Sequence, residues 1–224
     1  MVEPSASLLQ PSIPGPCRRG RLVVIGAVLL GILATPMAGQ TVAEDHLSRQ
    51  VAAARADSTR YPWTKADAEF MAGMIRHHAQ AIEMALLAPS RTDNNTILTL
   101  TARIINAQRD EIALMERWLR DRLQPLPDWS VPGGSHQHPM PGMLTQLQLD
   151  SLSQASGTRF EQLFLRYMIQ HHRGALVMVT NLFATDGAAQ DQTVFRFASD
   201  VQVDQRTEIG RMQRLLAAIL FAEP

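Results

Sequence analysis

From residue 64 onward, apolar positions recur every three or four residues, the period of helices that bury one face. Thr64 with Asp67 three residues later offers a capping box, so a helix is predicted from Lys65 to about Leu87, stopped by Pro89. A second helix is predicted from Asp93–Asn95 to about Arg122, with Ile97, Leu100, Ile104, Gln108, Glu111, Met115 and Trp118 on its inner stripe. Thr145 with Gln148 predicts a short helix over Gln146–Gln154, and Thr158 with Glu161 predicts the start of another that reaches about Ala184. Asp186-Gly187 marks a turn. A last helix then covers about Ala189–Phe221, with Val194, Phe197, Val201, Gln205, Glu208, Met212 and Leu215 facing inward. No segment shows the alternation of a half-buried strand. The expected fold is all-α: a four-helix bundle made of two helix pairs and a long crossover linker. Its divisions are an N-terminal arm (40–63), a first pair (64–123), a proline- and glycine-rich linker with a short helix (124–156) and a second pair (157–224).

The two pairs are copies of one another. Met74-Ile75-Arg76-His77-His78-Ala79-Gln80-Ala81-Ile82-Glu83-Met84 returns as Met168-Ile169-Gln170-His171-His172-Arg173-Gly174-Ala175-Leu176-Val177-Met178, every position shifted by 94. Gln108, Glu111, Ile112 and Met115 return as Gln205, Glu208, Ile209 and Met212, shifted by 97. With only two copies of so long a unit, a solenoid is excluded.

The first 39 residues read as an export signal: Arg18, Arg19 and Arg21 precede an apolar run from Leu22 to Ala34, too short for a comfortable membrane span. Small residues follow, so cleavage is expected between residues 38 and 43, and the remainder is expected outside the cytoplasm. Arg18, Arg19, Arg21 and Glu3 leave with the signal, and the remaining chain keeps 18 of the 21 basic and 20 of the 21 acidic residues, a net charge near −2. That balance offers no electrostatic footprint for nucleic acid or an anionic membrane. The only cysteine, Cys17, is lost with the signal as well.

A soft-metal site in such a chain must therefore use thioether sulfur and imidazole nitrogen. On a helix, Met74, His77, His78, Ala81 and Met84 share one broad face, and Met168, His171, His172, Ala175 and Met178 do the same. A pseudo-two-fold axis would turn both faces towards one volume. Met-x-x-His stands where di-iron bundles carry Glu-x-x-His, and thioether with imidazole favours copper, Cu(I) above all, over iron, manganese or magnesium. Zinc held by histidine alone is the weaker alternative. Gln108, Glu111, Gln205 and Glu208 lie on apolar stripes, where a carboxylate needs a partner. Each Glu is placed to accept from the second ring nitrogen of a histidine and so orient it. Asp67 is a cap or a similar partner. His136, His138, Met140 and Met143 in the linker form a candidate outer copper site. The competing reading of every one of these residues is packing and hydrogen bonding without metal.

These motifs resemble a family of exported proteins catalogued as domain of unknown function number 305. The resemblance rests on Asp67, Phe70, Met74-Ile75, His77-His78, Ala81 and Met84, then Ile104, Gln108, Glu111-Ile112, Met115 and Trp118-Leu119. It continues with Met140-Pro141-Gly142-Met143, Phe160, Phe164-Leu165, Met168-Ile169, His171-His172 and Gly174-Ala175. It implies a ferritin-like four-helix bundle and extracytoplasmic copper binding, with His77, His78, His171, His172 and the neighbouring methionines carried over; it implies no enzymatic activity. The second copy departs at Gly174 and Val177, where the first has Gln80 and Glu83, so a role for Glu83 is not duplicated.

Copper sequestration or transfer is thus the leading expectation. A metal-dependent oxidase and a metal-free helical interaction module are the alternatives. No serine elbow, phosphate loop or retained cysteine points to nucleophilic catalysis.

Overall fold

A computed structural model of the protein describes residues 45–53, 55–56, 62–127 and 140–222. The expected signal (1–39) and the linker residues His136 and His138 lie outside the described residues. Among those described, the chain is helical with no strand. A mostly exposed helical stretch at 45–53 falls within the expected arm. The main elements are α1 (Lys65–Leu86), α2 (Asn95–Asp121), α3 (Gln146–Gln154), α4 (Gly157–Phe183) and α5 (Gln192–Ala222), with a 3-10 turn at Ala88–Ser90. α1 pairs with α2 and α4 with α5; the two hairpins meet chiefly through α1 and α4, while α2 and α5 make no comparable contact. None of the described helices is long and apolar enough to cross a membrane.

The helix starts show how local chemistry sets the boundaries. Thr64 and Asp67 form the predicted capping box on α1, and Thr145 with Gln148 forms the one on α3. The expected box at Thr158 and Glu161 does not form. Ser156 is the N-cap of α4, without a side-chain bond. Glu161 is instead buried, accepting from Thr92 Oγ1 at 2.5 Å and Asn94 Nδ2 at 3.0 Å in the α1–α2 connection. α5 begins three residues later than expected, because Ala189 takes a left-handed φ of 56° and Asp191 caps the helix by accepting from the N–H groups of Thr193 and Val194.

Asp67 and Glu161 occupy equivalent positions of the repeat, and each fastens its helix to the turn of the other hairpin. Asp67 Oδ1 accepts from the Ala189 N–H at 2.7 Å, in the α4–α5 connection, just as Glu161 reaches the α1–α2 connection. Asp67 is therefore a cap and a cross-tie, not a histidine partner. At the end of α2, buried Asp191 also accepts from Trp118 Nε1 at 3.0 Å and from the Arg122 guanidinium at 2.5 Å, which lies over the Trp118 ring.

The apolar core divides in two. One cluster takes Met74 and Ile75 from α1, Met115 and Trp118 from α2, Ala175 and Val179 from α4, and Val194 to Val201 from α5. The other takes Ala81 and Met84 from α1, Ile97 to Ile104 from α2, Phe160 to Ile169 from α4, and Ile209 and Met212 from α5. Each long helix thus passes from one cluster to the other. The residues at the crossing are His77 and His78, Gln108 and Glu111, His171 and His172, and Gln205 and Glu208.

Candidate metal centre

This polar layer contains the repeated histidines, and its two halves have matching geometry. His77 and His78 have ring centroids 6.4 Å apart at 57°, and His171 and His172 are 6.3 Å apart at 57°. All four rings are buried. Across the α1–α4 contact, His77 and His171 approach to 3.7 Å between centroids. Behind them, His78 Nε2 meets Glu111 Oε2 on α2 at 2.6 Å, and His172 Nε2 meets Glu208 Oε2 on α5 at 2.8 Å. Each hairpin therefore carries the histidine–carboxylate pair that the stripe pattern suggested. A neutral ring that donates from Nε2 keeps its lone pair on Nδ1, the arrangement that orients a histidine towards a metal.

Burial, and then the neighbouring His78, lowers His77 to about 3. Burial and then His77, with the other two imidazoles, hold His171 well below the usual histidine range. Two positive rings in contact inside the protein would repel and lack solvation, so both are neutral near pH 7. His77 Nε2 lies 3.0 Å from the Pro141 carbonyl oxygen. A carbonyl oxygen can only accept, so the proton of His77 sits on Nε2 and Nδ1 carries the lone pair.

The layer holds seven buried polar atoms without a protein partner: Nδ1 of His77, His78 and His172, both ring nitrogens of His171, and Oε1 of Gln108 and Gln205. An unpaired buried polar atom costs about 1–3 kcal/mol, and native interiors leave few of them. Their concentration in one layer fits a bound cation, which several of these lone pairs would satisfy together. Among the described residues, no three His, Cys, Asp or Glu side chains converge closely enough to hold an ion by themselves. An ion with three or more protein ligands in this layer would therefore also draw on thioethers or glutamine oxygens.

The methionines are placed differently from the single shared volume that the helical faces suggested. Met74 lies with Met115 in one cluster, with Met178 packed against it, whereas Met84 and Met168 lie with Met212 in the other. The thioethers thus flank the histidine layer on its two sides, because the pseudo-two-fold reverses the order of the repeats. Met115 and Met212, not singled out as donors from the sequence, join them; their signal was the repeat itself. Of the linker candidates, Met140 and Met143 are partly buried at the ends of one turn, with the Met143 N–H donating to the Met140 carbonyl at 3.3 Å. A Cβ at Gly73 would lie 3.4 Å from Met178 Cε and 3.8 Å from Met140 Sδ, so the turn methionine and the α4 methionine meet over Gly73. A groove of about 440 Å³ between α2 and α5 is lined by Glu111, Arg196, Phe197, Asp200 and Asp204 among others. Partial burial and then Glu111, Asp200 and Glu208 raise the pKa of Asp204.

Residues 67–216 match the family described as Domain of unknown function (DUF305). The chain belongs to this family. A DUF305 fragment from Deinococcus radiodurans is 30% identical, with a TM-score of 0.62 over 70% of this chain and 99% of that one. A DUF305 protein from Streptomyces coelicolor is 29% identical, with a TM-score of 0.60 over 69% of this chain and 93% of that one. CopM in its Cu(II)-bound form is 27% identical, with a TM-score of 0.56 over 68% of this chain and 96% of that one. CopM is also known in Cu(I)-bound and silver-bound forms, at TM-scores of 0.52 and 0.53. Among curated proteins, none matches the chain.

Proposed function

We propose that this DUF305 protein is an exported copper-binding protein, a ferritin-like four-helix bundle that sequesters or passes on copper through imidazole and thioether donors. The observation that carries the reading is the buried layer of unpartnered ring nitrogens, flanked on both sides by methionine sulfur. Soft sulfur with borderline nitrogen and no thiolate suits Cu(I). His77, His78, His171 and His172 are the nitrogen donors; Met74, Met84, Met168 and Met178 are the nearest sulfur donors along the same helix faces. Glu111 and Glu208 hold His78 and His172 in place. Met140 and Met143, with His136 and His138 of the linker, belong to an outer capture site. Support comes also from CopM, which binds copper and silver, and from the basic and apolar leader for export.

The test is anaerobic titration of the signal-free protein with Cu(I) against a chromophoric chelator. The expected result is saturable competition, sharply weakened in a His77→Ala/His171→Ala double variant that keeps its far-UV helicity. Undiminished affinity in that variant would remove the buried layer as the site and leave the Met140–Met143 turn and linker histidines.

A further inference from the structure

The repeat predicts two equivalent half-sites, yet only one of the two contacting histidines is held by a well-formed hydrogen bond. His77 Nε2 donates to the Pro141 carbonyl, while neither ring nitrogen of His171 makes a well-formed hydrogen bond, its ring only approaching the His77 backbone. The difference comes from the segment Met140–Leu144, which lies against α1 and α4 and has no counterpart in the repeat, so it cannot obey the pseudo-two-fold.

Two residues seat it, and they are the same position of the repeat. Gln80 on α1 clamps the linker backbone: its Nε2 donates to the Leu144 carbonyl at 3.1 Å, and its Oε1 accepts from the Leu144 N–H at 2.7 Å. Its counterpart on α4 is Gly174, where a Cβ would stand 2.0 Å from the Pro141 oxygen and 2.6 Å from Gly142 Cα. No real Cβ contact is that short, so any side chain at 174 displaces the carbonyl that accepts from His77. The turn itself suits this approach, with Pro141 followed by Gly142 at φ 78°, the order of a type II turn. The departure of Gly174 from Gln80 in the repeated phrase is thus explained: one position holds the strap and the other makes room for it.

We propose that the Met140–Leu144 strap, seated by Gln80 and Gly174, presets His77 as an Nδ1 ligand while no strap carbonyl fixes His171, so that the repeat contains two unlike binding positions. Gln80 and Gly174 are positioning residues, acting through the Pro141 carbonyl. The inference rests on the copper-binding reading for its metal half, but the tautomer of His77 is a property of the metal-free protein.

The experiment is long-range ¹H–¹⁵N NMR of the histidine rings in the metal-free, signal-free protein, followed by Cu(I) titration of the same samples. In the wild type, His77 is expected as a single Nε2–H tautomer. In Gly174→Ala it is expected to become a mixture, while His78 and His172, tied to Glu111 and Glu208, keep theirs. Pro141→Ala retains the backbone carbonyl and should retain the tautomer. Gln80→Ala, which inserts no atom into the contact, should move His77 in the same direction as Gly174→Ala if the latter proves unstable. Loss of an orienting partner typically weakens metal binding ~10- to 100-fold, and that is the expected fall in Cu(I) affinity for Gly174→Ala. A pure Nε2–H signal for His77 in both folded variants overturns the positioning while leaving the copper reading intact. An altered tautomer with unchanged Cu(I) affinity overturns the metal half of the proposal. A wild type that binds no Cu(I) refutes the proposed function and that half with it, whatever the tautomer.

Discussion

The buried imidazoles make the metal-free protein sensitive to mild acid, and the size of the effect follows from the layer. His77 has an ordinary value of 6.5 when unfolded and about 3 when folded. Above pH 6.5 the ring is neutral in both states and contributes no pH dependence. Between pH 6.5 and about 3 the unfolded chain binds a proton that the folded chain refuses, so stability falls as pH falls. One proton of difference gives a slope of about 1.4 kcal/mol per pH unit, hence about 3 kcal/mol lost from His77 alone by pH 4.5. His171 is displaced in the same direction and steepens the slope further. The measurement is urea unfolding of the metal-free protein at pH 7.5, 6.5, 5.5 and 4.5, beside His77→Gln. The absolute stability of the variant is not the readout, because it also loses a hydrogen bond. The readout is the slope of stability against pH, which should be shallower in the variant by about 1.4 kcal/mol per unit. Equal slopes would show that His77 accepts a proton in the folded state and that the layer is more polar than its burial implies.

Three further outcomes are expected. Asp191→Ala removes the α5 cap, the Trp118 partner and the buried Arg122 counter-charge together; breaking one side of such a pair costs about 3–5 kcal/mol, measurable by urea unfolding, and Asp191→Asn should retain part of it. Glu111→Gln and Glu208→Gln should each lower Cu(I) affinity ~10- to 100-fold with helicity unchanged; chelator competition that finds no change would make these pairs purely structural. Asp67→Ala and Glu161→Ala should each lower stability by roughly 1–3 kcal/mol, and because they share no partner their effects should add in the double variant, as thermal unfolding would show.

Much of the architecture was legible from the sequence because it rests on local signals. Helical periodicity located α1, α2, α4 and α5, and the capping residues Thr64 and Thr145 fixed two starts to the residue. The stripe positions of Glu111 and Glu208 were informative because a carboxylate on a buried face needs a donor, and each has one in a histidine. Readings failed where a side chain serves a distant segment. Glu161 has the spacing of a capping box but is used by Thr92 and Asn94, and Asp191, which the periodicity placed inside the last helix, instead caps that helix and meets Trp118 and Arg122. The roles of Gln80 and Gly174 were visible only as a mismatch between copies, since a backbone carbonyl such as that of Pro141 carries no sequence signature. The division of the methionines between two clusters was hidden for a similar reason: helical spacing gives the face of a residue, and the direction of the neighbouring helix decides what lies beside it.

The cross-ties at Asp67 and Glu161 bear on when the proposed metal layer can form. Each hairpin supplies the backbone or side-chain donors that satisfy a buried carboxylate of the other. A nascent or half-folded chain would leave those carboxylates uncompensated, and it would also lack the His77–His171 contact, which exists only between hairpins. The histidine layer is therefore a product of complete assembly. An ion that binds there favours the finished molecule by mass action, so metal occupancy would report on folding quality, and a newly made chain would become competent only once both halves had closed on each other.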